Sequence, residues 1–103
     1  MQFEIEGKEY GLKYNIKRLE LIEATVGVPT MAHLVNNKGF LSLQHLKSYV
    51  GMALKEVGED TFVPSRKGQE YAEALILSEG YETINAAVLE QMMEDCPFLF
   101  PNG

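Results

Sequence analysis

Two histidines, one cysteine and several adjacent acids are the residues of this chain that could do chemistry. His33 and His45 stand twelve positions apart, and neither His-x-x-x-His nor Cys-x-x-Cys spacing occurs. A structural zinc site wants four ligands, mostly Cys or His, and the whole chain has three such residues. The histidines therefore read as partly exposed surface or core residues. A thiol nucleophile needs a base and an orienting group within reach. Cys96 lies between Asp95 and Pro97, and a neighbouring carboxylate opposes the thiolate. It reads as a small, half-buried residue at a helix end. Glu20 with Glu23, Glu59-Asp60 and Glu94-Asp95 are paired acids. A catalytic pair needs a cleft that separates the two pKa values, and these residues fall on polar faces or in loops, where acids are solvated. Gly7-Lys8 is followed by Glu9, not by the hydroxyl residue of a phosphate loop. No catalytic, cofactor-binding or metal-binding residue is assigned, and the chain reads as a non-enzyme.

Composition narrows the partners. A length of 103 residues fits one domain, 1–103. Nine Lys and Arg against fifteen Asp and Glu leave a net charge of −6. The densest basic groups are the pairs Lys17-Arg18 and Arg66-Lys67, too few for a phosphate-binding surface, so nucleic acid is not expected as a partner. A single cysteine cannot form an internal disulfide, which fits a reducing cytoplasm. The alternating, acidic start Met1–Glu6 is unlike a signal peptide. No apolar run approaches the ~20 residues of a membrane span, so no membrane association is expected.

The elements that must position these residues follow from periodicity. Phe3 and Ile5, then Tyr10, Leu12 and Tyr14, alternate with polar residues around a turn at Gly7-Lys8. This predicts a β-hairpin over 2–14, with Gly11 marking a bulge. A helix follows, capped by Asn15, stopped by Gly27, and presenting Ile16, Leu19, Ile22 and Val26 on one face. It is the expected support for the hairpin. Pro29 suits the first position of a short helix through Val35. Ser42 caps the strongest helical pattern, whose face is Leu43, Leu46, Val50, Ala53, Leu54 and Val57 up to Gly58. Gly51 inside it costs about 1 kcal/mol against alanine, which close approach of another helix or the hairpin would offset.

Two more helices complete the 15–96 segment. Ser65 is expected to cap one over Arg66–Glu79, with Ala72, Leu75 and Ile76 inward and Tyr71 and Leu77 flanking. Thr83 is expected to cap another, with Ile84, Ala87, Val88 and Met92 inward, ended by Pro97. Met31, Met52, Met92 and Met93 fall at helical spacing and read as core. Residues 97–103 form an apolar tail closed by Pro101-Asn102-Gly103, and Phe98-Leu99-Phe100 is expected to fold back onto the domain. The fold class is α+β, mostly α-helical, with an N-terminal β-hairpin packed on a bundle of four to five short helices.

The order "FEIEGKEYGLKY", "NIKRLELIEATVG", "MAHLV" and "SLQHLKSYVGMALK" resembles the small tail assembly chaperones of long-tailed bacteriophages, in particular the gene-transfer-agent-like group. The resemblance runs from Phe3 to about Met93. It implies a non-enzymatic helper that binds the tape-measure protein, keeps it soluble and recruits tail-tube protein. Such a helper acts in the cytoplasm of the bacterial host and is absent from the mature virion. That role needs an exposed apolar strip with a polar rim, for which Tyr49, Met52, Tyr81, Phe98, Leu99 and Phe100 are the candidates. Two other classes stay open: a small structural or adaptor subunit of a phage particle, and an unrelated protein-interaction domain of a bacterial cytoplasm. Exposed strand edges leave homo-oligomer formation open as well.

Overall fold

The hairpin is strand β1 (Gln2–Ile5) against strand β2 (Lys8–Leu12) in a computed structural model that describes residues 1–100. The closing turn is Glu6-Gly7, one residue earlier than Gly7-Lys8, with φ of 52° and 80°. Two positive φ values make the tight turn whose twist matches paired strands. Gln2 pairs with Gly11 and Phe3 with Tyr10 in regular register. Gly11 therefore sits in the ladder and marks no bulge.

A third strand, β3 (Leu54–Glu56), pairs antiparallel with β2, placing β2 in the centre of the sheet. The periodicity placed Leu54–Val57 in a helix instead. Apolar residues this short satisfy both periods, and a two-stranded hairpin is marginal without another partner. The hydrogen bonds Lys13 N to Ala53 O and Val57 N to Glu9 O, at 2.9 and 2.8 Å, extend the pairing beyond the strand ends. Val63 N donates to Leu54 O, and Phe62 bridges Lys55. The returning 59–64 connection thus covers part of β3.

Helix α1 (Ile16–Val26) has both expected end signals. Asn15 Oδ1 accepts from Arg18 N at 2.7 Å, and Gly27, at φ 82°, donates its N–H to Glu23 O. Leu19 and Ile22 are buried and Val26 half-buried, whereas Ile16 faces outward. Helix α2 (Thr30–Asn36) starts after Pro29, not at it. Helix α3 (Leu43–Gly51) is capped by Ser42, whose Oγ accepts from His45 N at 3.2 Å. It ends at Gly51, and neither Leu43 at its start nor Val57 beyond it is buried.

Helices α4 (Ser65–Glu79) and α5 (Tyr81–Asp95) are joined by Gly80 alone. Its φ of 92° and ψ of 151° belong to a region open essentially to glycine. The expected caps do not operate. Ser65 is the first residue inside α4, after Pro64, and Thr83 lies within the first turn of α5. Each helix simply begins where the preceding Pro64 or Gly80 allows. Helix α5 ends at Asp95, ahead of Pro97, and a 3₁₀ turn over Pro97–Leu99 follows. The tail folds back in part: Leu99 and Phe100 pack against the core, whereas Phe98 is exposed. Pro101, Asn102 and Gly103 lie outside the described residues.

Helices α3 and α4 run antiparallel at close range. A Cβ on Gly51 would stand 2.9 Å from the Gly68 carbonyl, and one on Gly68 would collide with Gly51 O. Gly51 is the last residue of α3 and not inside it, so the interior cost does not arise, and the expected close approach is made by α4. One hydrophobic core joins the inner face of the sheet (Phe3, Ile5, Tyr10, Leu12) to Leu19, Ile22, Leu46, Val50, Ala72, Ile84, Val88 and Met92.

Candidate functional site

The acids nearest to the interior serve the backbone. Asp95 accepts from Tyr14 N at 2.9 Å and from Lys13 Nζ at 3.3 Å, and its side chain is almost fully covered. Glu23 Oε2 accepts from Thr30 N at 2.7 Å, which holds the first N–H of α2. Both were expected to be solvated. Each sits where a chain segment leaves an amide unpaired, and a carboxylate is a strong acceptor for one.

A chain of hydroxyls crosses the core. Tyr14 Oη donates to Tyr49 O at 2.8 Å, and the hydroxyls of Tyr49 and Thr30 meet at 2.7 Å. Burial, then the nearby Tyr49 and Asp95, raise the Tyr14 phenol well above its usual value. Burial likewise raises Tyr49. Both phenols stay protonated and act as hydrogen-bonding groups, not as acids.

Cys96 is fully buried, where half-burial was expected. Burial, then Asp95, push its thiol up, with Lys13 opposing. A thiol held protonated is a poor nucleophile. His33 and His45, from α2 and α3, do meet: their Nδ1 atoms are 3.1 Å apart. Two imidazoles supply half of a tetrahedral ligand set, and no group of three or more His, Cys, Asp or Glu suited to a metal forms among the described residues. His33 Nε2 is also buried without the acceptor that a ligating imidazole ordinarily has.

The proposed contact residues divide. Tyr49 is 0% exposed and Met52 lies in the core, so neither forms a surface. Both sit at the end of α3, where the chain turns inward to enter β3. Tyr81 is half-buried, with its hydroxyl donating to Leu41 O. Leu99 and Phe100 are half-buried and only Phe98 is exposed, at 61%.

The apolar surface lies elsewhere. Leu43, Ile76 and Leu77 line a cleft of about 240 Å³ between the start of α3 and the end of α4. Lys47 and Glu73 also line it, and they pair across it at 3.4 Å. Leu43 is 59% and Leu77 81% exposed, and Phe40 stands exposed just before α3. Sequence reasoning put Leu43 inside and Leu77 at the flank. The usable signal was Leu77 itself, directly after Leu75 and Ile76, because three consecutive helical residues cannot all face one core.

Other open hollows mark the surface, one lined by Ser48, Met52, Arg66 and Gln69 between α3 and α4. No helix among the described residues is long and apolar enough to cross a membrane. Neither family models nor searches of curated proteins and of solved structures give a match to this chain.

Proposed function

We propose that the chain is a non-enzymatic tail assembly chaperone of a long-tailed phage. In this reading it binds the tape-measure protein, keeps it soluble and helps to recruit tail-tube protein. It acts in the cytoplasm of the bacterial host and does not remain in the finished particle.

The observation that supports this reading is the α3–α4 cleft. Leu43, Ile76 and Leu77 offer an apolar seat, and the Lys47–Glu73 pair frames it. A helical partner presents anchors at positions i, i+3, i+4 and i+7, and lays them into such a groove. The tape-measure protein is a long and largely helical chain, so it offers that pattern repeatedly. The net charge of −6 favours solubility of the complex.

Co-expression with the tape-measure protein encoded beside it is the test. A soluble complex of the two, with the chaperone missing from purified particles by mass spectrometry, is the expected result. A tape-measure protein that stays insoluble beside abundant soluble chain would overturn the reading. Presence of the chain in stoichiometric amount in particles would favour a structural subunit instead.

A further inference from the structure

His33 and His45 are the only histidines of the chain, and two separate helices bring them together. Their Nδ1 atoms lie 3.1 Å apart, with ring centroids at 4.5 Å. Two neutral imidazoles can share one hydrogen bond there, one Nδ1–H donating and the other nitrogen accepting. The remaining nitrogen of His33, Nε2, is buried with no partner among the described residues. An orphaned buried N–H is costlier than an orphaned acceptor. His33 therefore carries its proton on Nδ1 and donates to His45, which holds its own proton on Nε2.

An added proton has no good place in this arrangement. On His45 it must take Nδ1, which turns the acceptor into a second donor facing the first. On His33 it must take Nε2, which puts an N–H where nothing receives it. If the shared proton shifts instead, so that His45 donates, His33 again carries a buried N–H on Nε2.

We propose that the His33–His45 contact is a proton-operated latch between α2 and α3, closed when both rings are neutral and released by acid. The charged groups around it do not rescue the protonated pair. Helix α2 carries no Asp, Glu, Lys or Arg, and its following turn adds only Lys38. Lys47, on α3, is engaged by Glu73 of α4. Glu23, the acid of α1 that touches α2, is bound to Thr30 N at the start of the helix. Among the described residues no carboxylate of any element, α5 included, stands within ion-pair distance of either ring.

The sign follows from the environment. Burial, then His45, lower the His33 pKa below its usual value of about 6.5. A histidine depressed in the folded state stabilises above its unfolded pKa, and that contribution is lost as pH falls through the folded value. The latch is thus closed at neutral pH and opens on the acid side of the ordinary histidine range. Helix α2 is suited to respond beyond its first residue, because it has seven residues and its side-chain anchors, Glu23 to Thr30 N and the Tyr49 hydroxyl to that of Thr30, both lie at its start. Its release uncovers Leu34, which is buried in the closed form.

Amide hydrogen exchange on the intact chain, corrected for intrinsic rates, tests this between pH 7.5 and 5. Protection over residues 30–36 should fall about tenfold or more while that of α5 holds. In His45→Gln, a half-exposed position, the amide oxygen still accepts from His33 but does not titrate, so the pH response should shrink in part, the remainder coming from His33, whose burial persists. His33→Gln should flatten it further. Protection of α2 that is independent of pH in the natural chain would overturn the latch. An undiminished response in folded His45→Gln would overturn it equally.

Discussion

Tyr14 shows how one side chain joins three elements. Its hydroxyl reaches Tyr49 O in the last turn of α3, and its backbone N–H is held by Asp95 at the end of α5. Helix ends leave carbonyls without intrahelical partners. Because α3 stops at Gly51, Ala53 N binds Val50 O, so the Tyr49 carbonyl depends on Tyr14. Tyr14→Phe should therefore cost about 1–3 kcal/mol, the usual penalty for leaving one buried partner unpaired. Urea denaturation followed by circular dichroism measures it. Asn85 does similar service, accepting from Leu41 N and donating to Gly39 O. Asn85→Ala should destabilise to a similar or greater extent, about 2–4 kcal/mol, because two bonds are lost together. None of this polar wiring was legible in the sequence. Each contact spans more than thirty residues, and a tyrosine or asparagine carries no sign of its distant partner.

At the scale of elements, what is local was readable and what is relational was not. Asn15, Gly27 and Ser42 act as expected because a cap concerns residues three or four apart. Strand β3 was missed because Leu54–Glu56 is a strand only by virtue of β2 beside it. The α3–α4 crossing was half legible: Gly51 announced a close approach, but its counterpart Gly68 did not stand out. Gly68→Ala would drive a methyl into Gly51 O, so the helices must separate. Overpacking of this kind typically costs about 1–3 kcal/mol, and here the obstacle is backbone. A drop of several degrees in melting temperature is the expected readout by calorimetry. The hairpin turn offers the opposite change. Glu6 holds a positive φ of 52° without being glycine, so Glu6→Asn should stabilise by about 0.5–1 kcal/mol in the same assay. Its loss of the long Tyr71 contact, at 3.3 Å, is a smaller effect.

At the scale of the molecule, the mostly helical α+β class was legible, since hydrophobic periodicity reports which segments have an inner face. The candidate surface was not. Tyr49 and Met52 were nominated for it and turned out to be core, while Leu43 and Leu77 carry the exposed apolar area. Periodicity tells which residues share a face and not whether a neighbour covers the end of that face. Leu43 and Leu77 stand at the open end of the α3–α4 pair, away from the Gly51–Gly68 contact. The most direct test of the account is the double substitution Leu43→Asp with Leu77→Asp, co-expressed with the tape-measure protein. Both positions are exposed, so the variant should melt within about 2 °C of the natural chain and yet leave the tape-measure protein insoluble. A variant that folds equally well and still recovers the partner in full would contradict the claim that this cleft is where the partner binds.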